Sequence, residues 1–466
     1  MVSSSSSNLE TSRTHTQRDH NTKNKKQKKT TTAAKAQQQQ QQQQASLTSG
    51  LDGGGDEGPM VAYLPQVDAR HPPRIFTCRC YPLVRQAFTD RGYRATDGEH
   101  NYDNAWMIWK TGMDIDVQQL QHWQRPNHFP GERLMDSKGS MYQVLRMYHN
   151  RGVHRTTMPL DFVPETYLLY AESDKARFVQ RLKGGGLDVP WVLKRTKASR
   201  GRGVTMLGPQ SAELRALRDD LATGPIKKGH IVQSYIQNEW TFQGHKCDLR
   251  VYVLVASVEP LIVYYHDGIV RTAAGLHNEE NFDESKAHLT NVSQNKANRT
   301  QWEPVKTFTQ LGQELQSYVG KRRRQQPQQE HRQLPMEDVE KNPLQHVRNQ
   351  IKRILGFVFA AFRDRISLEK IPVDNAFALM GADFVIDADL KVWLLEMQLG
   401  PQLQGDNLPE KIAILQDVLG TTIDVVEEVY LKQVNNQPIM PLTKTGNFEL
   451  VYNEQDDVLS STTSSL

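Results

Sequence analysis

The sequence predicts an α/β protein, because short apolar runs of strand length are mixed with stretches that have helical spacing. Strands are expected at Trp191 to Lys194, Ile231 to Ile236 and Val251 to Val255. Helices are expected at Ala212 to Leu221 and at Gln345 to Phe362, where apolar residues recur on one helical face. A chain of 466 residues has room for two or three packed domains of this kind.

Composition divides the chain into a tail and a folded part. Residues 1–70 form a low-complexity segment that contains polyglutamine from Gln37 to Gln44, and we expect this tail to be disordered. Three further segments are predicted: a small N-terminal α/β domain at 71–157, central and C-terminal domains at 158–432 with an exposed insertion at about 298–342, and a C-terminal tail at 433–466.

Charge and cysteine content narrow the class of protein. The formal net charge of +4 is nearly balanced, so it gives no reason to expect nucleic acid or a membrane surface as the partner. No apolar run is long enough to span a bilayer, and we expect a soluble cytosolic protein. The three cysteines, Cys78, Cys80 and Cys247, are a sparse set that fits a reducing compartment, with ordinary thiols at Cys78 and Cys80.

The most informative segment is a predicted hairpin from Gly381 to Pro401, in which two apolar runs flank a polar turn at Asp387 to Lys391. With this loop length Asp383 falls opposite Glu396, and Gln398 follows on the same face as Glu396. The other face is expected to be apolar, and its members are Phe384, Ile386, Trp393, Leu395 and Met397.

Directly opposed carboxylates repel each other unless a cation lies between them. The oxygen ligands of Asp383 and Glu396 suit a magnesium ion that also carries nucleotide phosphates. In the alternative interpretation Asp383 is protonated or lies beside a turn, and Glu396 belongs to an ordinary ion pair.

A charged face is predicted on the strand from Lys246 to Val255. Alternation places Lys246, Asp248 and Arg250 on the same side, and these groups can bind a phosphate or a carboxylate. Arg271, which follows a predicted turn at Asp267 to Gly268, adds another cation. The alternative is a solvent-exposed ladder of salt bridges on an edge strand.

A glycine-containing loop follows the strand that ends in Lys194. The loop carries Arg200, Gly201 and Gly203, and its backbone N–H groups can fold over phosphates that the lysine also reaches. The segment is neither a Walker A sequence nor a dinucleotide fingerprint, and a plain flexible turn is the alternative.

Taken in order, seven segments resemble the tubulin tyrosine ligase-like family, whose members are ATP-grasp enzymes that join an amino acid to a protein carboxylate. The matching segments are RPNHFPG from Arg125, WVLKRTKASRGRGV from Trp191, VQSYI from Val232, KCDLRVYVLV from Lys246, GIVRT from Gly268, HLTN from His288 and GADFVIDADLKVWLLEMQLGP from Gly381. The resemblance covers roughly Arg74 to Val429 and implies an ATP-grasp fold with ATP and Mg²⁺ as cofactors.

The resemblance also implies a role for each site residue, and His288 receives no role in proton transfer. The residues expected to bind the nucleotide are Lys194, Arg200, Gly201, Gly203, Gln233, Ser234, Tyr235, Ile236, Lys246 and Asp248. The expected catalytic residues are Arg250 and Arg271, which with Asp248 shape the place where the acceptor meets the amino acid. The expected metal ligands are Asp383, Glu396 and Gln398.

The implied reaction adds an amino acid, with glutamate the first expectation, to carboxylates of tubulin or microtubules, in the cytoplasm, cytoskeleton or cilium. Glycine and tyrosine remain open as the amino acid, and a small-molecule ligase remains open as another class. Family members usually carry Asn where this chain has Gln398, whose longer side chain shifts the amide oxygen by roughly 1.5 Å at a metal with strict geometry. A catalytically impaired relative that binds tubulin or nucleotide is therefore a further alternative.

Overall fold

The protein is described by a computed structural model, and the described residues all fall within Val67–Leu466. The described residues are 74–96, 102, 104–111, 115, 120–121, 123–152, 158–196, 203–225, 227, 229–277, 290, 303–325, 336–368 and 376–456. The predicted N-terminal tail lies outside them. They contain helices and strands in several sheets, as the α/β prediction requires.

A parallel sheet begins the described chain, and its strands run in the order β2-β1-β3-β4. The strands are β1 (Ile75–Arg79), β2 (Arg94–Ala95), β3 (Met107–Lys110) and β4 (Arg125–Pro126), and helix α1 (Pro82–Thr89) connects the first two. Two helices follow this sheet, α2 (Arg133–Asp136) and α3 (Lys138–Arg151). Ser137 caps α3, since its side chain accepts a hydrogen bond from the Ser140 backbone N–H.

A four-stranded antiparallel sheet comes next, in the order β5-β8-β6-β7. Its strands are β5 (Thr166–Leu168), β6 (Trp191–Arg195), β7 (Val204–Leu207) and β8 (His230–Ser234), and its helices are α4 (Glu172–Lys183) and α5 (Ala212–Thr223). The apolar faces of both helices pack on this sheet around the buried Trp191 and Phe178. The predicted strands and helix of this region are confirmed to within two or three residues.

The largest sheet has seven strands and is antiparallel throughout. Its main path is β12-β11-β10-β13-β14, with β9 paired to β10 and β15 to β11. The strands are β9 (Thr241–Phe242), β10 (His245–Val258), β11 (Leu261–Leu276), β12 (Val305–Thr307), β13 (Ala378–Ile386), β14 (Val392–Gln398) and β15 (Glu449–Asn453). β10 and β13 are interior strands, and successive residues along both are buried, so both faces of these strands are covered.

Helices cover the two faces of this central sheet. The helices are α6 (Phe308–Gln325), α7 (Met336–Lys341), α8 (Pro343–Leu368) and α9 (Pro409–Val434). Leu249, Val251 and Val253 of β10 face one core cluster, which includes residues of α6 and α8. Tyr252 and Leu254 face a second cluster, which includes α9 and the parallel sheet. In the described part of the chain no helix is long and apolar enough to cross a membrane.

A β-bulge changes the predicted faces of the hairpin. Asp383 pairs with Glu396 as predicted, but the next residue, Phe384, pairs with Leu394, so the strand carries an extra residue there. The β14 residues that pack with Phe384 in the core are therefore Val392 and Leu394. The prediction that Trp393 and Leu395 belong to the buried apolar face is wrong, because the bulge reverses the alternation.

Two segments predicted to lie outside the core belong to it. Within the predicted insertion 298–342, Phe308, Leu311 and Leu315 of α6 are buried against the central sheet. Within the predicted tail 433–466, β15 pairs with β11, and Tyr452 is buried. Both segments are mostly polar, so the few apolar residues in them that make core contacts were not evident from the sequence.

The turn predicted at Asp267–Gly268 is wrong, because both residues lie within β11 at an irregularity of its pairing with β10. A β-carbon at Gly268 would lie 1.9 Å from the Arg250 carbonyl oxygen, so only glycine allows the two backbones to approach this closely. Cys78 and Cys80 lie side by side at the end of β1, where a spacing of two places both side chains on one side, and ordinary thiols there stay a prediction.

Candidate functional site

Four buried charged side chains form one network on the central sheet. Asp248 and Arg250 project from β10, Arg271 from β11 and Asp383 from β13, and each is at most 8% exposed. The two guanidinium groups alternate with the two carboxylates, so the network carries no net charge. The alternative of an exposed edge-strand ladder is therefore wrong, since β10 is an interior strand and these groups are buried.

Asp383 is the centre of this network. Arg250 donates to it from Nε at 2.5 Å and from a terminal nitrogen at 2.9 Å, and Arg271 donates at 2.9 Å. Burial disfavours the charged carboxylate, but the two guanidinium ions outweigh burial and hold the pKa of Asp383 well below its usual range. Asp383 is therefore an ionised carboxylate, which excludes the alternative of a protonated side chain.

Asp248 fixes the second arginine. It accepts two hydrogen bonds from Arg271, at 2.6 and 2.8 Å, and another from the hydroxyl of Thr290. Burial disfavours the charged form of Arg271, but the attraction of Asp248 and Asp383 outweighs burial and raises the pKa of Arg271. Thr290 belongs to the HLTN segment, whereas His288 lies outside the described residues.

Glu396 and Gln398 extend the site along β14. The Gln398 Nε2 donates to Glu396 at 2.6 Å and to Asp383 at 3.4 Å, so its amide bridges the two opposed carboxylates. The second oxygen of Glu396 contacts the Lys138 ammonium at 2.5 Å. The predicted placement of Glu396 and Gln398 on one face is thus confirmed.

These side chains fit a magnesium ion in their donor chemistry. A carboxylate offers about four lone pairs; the arginines occupy three of those on Asp383 and the Gln398 amide takes the fourth, so a metal could bind there only if that amide moves. Magnesium typically takes one or two carboxylates and completes its shell with waters and substrate phosphates. Gln398 could join them only if its amide turns over to present Oε1. Nowhere in the described part of the chain, this site included, do three or more histidine, cysteine or acidic side chains come together as a possible metal site, so the protein would supply two carboxylates here.

Three lysines from different elements lie near one another, with Lys194 as their common neighbour. Lys138 lies at the start of α3, Lys194 on β6 and Lys246 on β10, and the electrostatic neighbours of Lys194 include the other two lysines, Glu396 and Glu239. Several ammonium groups close together suit the oxygens of a polyphosphate. Burial lowers the pKa of Lys194 to about 8, and Glu396 partly offsets that effect.

Of the predicted nucleotide residues on or after β8, Gln233 contacts Lys194 directly. Gln233 accepts a hydrogen bond from Lys194 at 2.5 Å and donates to Thr166 at 2.8 Å, so its amide orients the lysine. Ser234 ends β8, and its backbone N–H donates to Glu165. Ile236 is buried, in the segment that leads from this sheet toward the central sheet.

Lys246 is held by a buried carboxylate. Its ammonium contacts both oxygens of Glu239 and donates to the Tyr235 hydroxyl at 3.1 Å. Burial opposes the charge, but Glu239 outweighs it and the pKa of Lys246 is raised. Lys246 therefore stays protonated, whereas Lys194 titrates close to neutral pH.

The described residues include only part of the predicted phosphate loop. Gly203 lies in the left-handed region at φ +70°, and a β-carbon there would lie 2.7 Å from the Arg195 side chain. Arg200 and Gly201 lie outside the described residues, so their predicted contact with phosphates stays a prediction.

Sequence reasoning missed Lys138 and Glu239. Lys138 is the first residue of α3, whose first turn contains no acidic residue, and a cation there opposes the helix dipole. A lysine at this locally unfavourable position could have been recognised in the sequence as a candidate functional residue, since residues at such positions are often functional. Glu239 shows no such pattern in the sequence.

Comparison with known proteins gives a family match that includes every element of this site. The model of the Tubulin-tyrosine ligase family matches residues 115–437, well over half of the chain.

Three curated relatives are similar to this chain over about three quarters of its length. The protein polyglycylase TTLL10 of Mus musculus is 26% identical over 70% of this chain and 46% of its own length. The probable tubulin polyglutamylase TTLL2 of Homo sapiens is 26% identical over 76% and 55%, respectively. The tubulin polyglutamylase TTLL7 of Homo sapiens is 29% identical over 70% and 35%. The chain thus spans about half or less of the length of these relatives.

Proposed function

Because the chain belongs to the tubulin-tyrosine ligase family, we propose that it is an ATP- and magnesium-dependent ligase that adds glutamate to carboxylates of tubulin. The observation that supports this proposal is the grouping of Lys138, Lys194 and Lys246, in which Lys138 contacts Glu396 of the hairpin and Lys194 is an electrostatic neighbour of Glu396 and of both other lysines. It provides phosphate-binding cations and oxygen ligands side by side, as phosphoryl transfer from a metal-bound nucleotide requires.

In the proposed reaction an oxygen of the acceptor carboxylate attacks the γ-phosphorus of ATP, and ADP leaves. The amine of the incoming amino acid then attacks the carbonyl carbon of the acyl phosphate, phosphate leaves, and the nitrogen loses a proton as the amide forms. The three lysines orient and neutralise the phosphates, while Arg250 and Arg271 hold Asp383 in place. Asp383 and Glu396 would hold the magnesium ion, which would supply charge stabilisation at the phosphates.

The proposed acceptor also has a candidate docking surface. The last turn of α6 exposes Lys321, Arg323 and Arg324, and acidic tubulin tails are drawn to cations of this kind. Tubulin as acceptor would place the protein at the cytoskeleton or in a cilium. Among the relatives, two are named as tubulin polyglutamylases and one as a polyglycylase, so glycine is the main rival to glutamate.

The test is mass spectrometry of tubulin after incubation with the protein, ATP, Mg²⁺ and a mixture of glutamate, glycine and tyrosine. A mass increase of glutamate units is expected, and Glu396→Gln should remove it while the melting temperature is kept. No transfer to tubulin, together with transfer to a free amino acid or metabolite, would instead identify a small-molecule ligase.

A second candidate function is a catalytically impaired relative that binds nucleotide or tubulin. It is favoured by Gln398, whose amide nitrogen points at both carboxylates that are expected to hold the metal. Ligation rates of the wild type and of Gln398→Asn at several Mg²⁺ concentrations separate the two. An active wild type excludes the impaired relative, whereas activity that arises only in Gln398→Asn would establish it.

A further inference from the structure

Both side-chain oxygens of Glu396 interact with donors that the chain itself supplies. One oxygen accepts a hydrogen bond from the Gln398 amide at 2.6 Å, and the other contacts the Lys138 ammonium at 2.5 Å. The side chains of Lys138 and Glu396 are 14% and 21% exposed, so their ion pair is largely shielded from water and stronger than a surface pair. A metal ion at Glu396 therefore competes with an ammonium for the same carboxylate.

The cations around the two proposed metal ligands differ in how readily they can leave. Arg250 and Arg271 hold Asp383 through three buried hydrogen bonds from planar guanidinium groups. A lysine instead binds through one ammonium at the end of a flexible four-carbon stem. Lys138 can therefore leave Glu396 without disturbing the arginine network.

The Lys138 ammonium also lies near the expected position of the nucleotide phosphates. Lys138 is an electrostatic neighbour of Lys194, the residue of β6 that is predicted to bind ATP phosphates. Phosphates held by Lys194 would come within reach of the charge on Lys138. Their oxygens would then compete with Glu396 for its N–H donors, because ammonium groups form strong hydrogen bonds with phosphate as well as with carboxylate.

An ammonium on Glu396 has opposite effects on the two ligands, since it repels a divalent metal ion and attracts phosphate. We propose that Lys138 is the counter-ion of Glu396 when no nucleotide is bound, and that it moves to the phosphates when nucleotide binds. Nucleotide and metal then bind cooperatively, each raising the affinity for the other by the same factor. This inference rests on the proposed nucleotide and magnesium site and deepens it, because it gives Lys138 a second task at Glu396.

Binding measurements on the full chain without nucleotide test this exchange. Mn²⁺ is titrated as a magnesium analogue and followed by electron paramagnetic resonance, and ATP is titrated calorimetrically in the presence of EDTA. Lys138→Met should bind Mn²⁺ about tenfold or more tightly and metal-free ATP about tenfold or more weakly, the usual size of one charged contact. A lysine that only binds phosphate would change the ATP affinity alone, and a purely structural lysine would weaken both.

Three further variants serve as controls. Lys138→Arg keeps the positive charge and should bind Mn²⁺ no more tightly than the wild type. Lys352→Met, on α8 where Lys352 pairs with Glu449 at 2.8 Å, should leave both affinities unchanged. Glu396→Gln should weaken Mn²⁺ binding, and adding Lys138→Met to it should give no tightening. A tightening that persists without the Glu396 carboxylate overturns the proposal.

The decisive outcome is the Mn²⁺ affinity of a folded Lys138→Met. An unchanged or weaker affinity, including no detectable binding by either protein, overturns the proposal, as does an unchanged affinity for ATP. Ligation assays separate this inference from the proposed function. If the opposite shifts appear but the wild type transfers no amino acid to tubulin, the exchange stands and the ligase proposal fails. If the wild type ligates and Lys138→Met has the wild-type Mn²⁺ affinity, the ligase stands and the exchange fails.

Discussion

Replacement of Asp383 by asparagine should destabilise the fold as well as stop ligation. Asp383 is 3% exposed and accepts three hydrogen bonds from two guanidinium ions. Asparagine leaves Arg250 without its carboxylate, while Arg271 keeps Asp248. Removing one partner from a buried ion pair costs about 3–5 kcal/mol, because the remaining charge is left uncompensated.

This loss can be converted into a melting temperature. Cooperative unfolding of a unit of roughly 400 residues, Val67–Leu466, has an entropy of about 0.8 kcal/mol per degree. The expected decrease for Asp383→Asn is therefore about 4–6 °C, measured by differential scanning calorimetry at neutral pH.

The control makes the same chemical change on the surface of the same hairpin. Asp389 pairs with Arg322 at 2.7 Å, but its side chain is 76% exposed. Exposed pairs contribute about 0–1 kcal/mol, so Asp389→Asn should lower the melting temperature by about 1 °C or less. Equal shifts for the two variants would show that the buried network does not stabilise the fold as argued.

Two further predictions concern Lys194 and Gly268. Since its pKa is lowered to about 8, Lys194 is charged below that pH and neutral above it, so the KM for ATP should rise between about pH 7 and 9. Lys194→Arg should flatten this pH profile, and an unchanged profile would contradict the role of Lys194. Gly268→Ala should lower the free energy of unfolding by about 1–3 kcal/mol or more, because the added methyl meets the Arg250 carbonyl. Gly320→Ala in α6, where the nearest atom is 4.0 Å away, should instead be neutral or stabilising in the same denaturant titration.

The parts of the fold that the sequence predicts are those with strong local periodicity. The hairpin and its pair Asp383 and Glu396 agree with the prediction, but the register beside the turn is one residue off, since Val392 pairs with Ile386, and the bulge restores the predicted pair. The charged face of β10 follows from alternation alone.

The failures arise where contacts between distant segments decide the structure. Leu395 is the extra residue of a β-bulge that reverses the inward and outward alternation of side chains along β14. No local sequence pattern indicates this bulge. Leu311 and Leu315 are buried because α6 packs on the central sheet, although the surrounding sequence is polar. Lys138 is distant in sequence from Glu396, and only the folded chain brings their charges together.

The site divides its cations into two groups with different tasks. Arg250 and Arg271 are 4% and 7% exposed. Each donates two hydrogen bonds from one edge of its guanidinium to an aspartate. Such planar, paired contacts fix the carboxylates in position, and a lysine could not reproduce them. These arginines were predicted to be catalytic, but their geometry favours positioning of Asp383, and a direct contact with substrate stays a prediction.

The lysines have the opposite character. Lys138 and Lys194 each have one flexible ammonium, and their partners in this site are Glu396 and the neutral amide of Gln233. An incoming phosphate can accept hydrogen bonds from such an ammonium at little cost. A lysine can redirect its N–H donors without breaking a bidentate contact. Arginine to lysine changes in the network should therefore impair folding and activity together, whereas Lys138→Met should impair nucleotide use and leave the network intact.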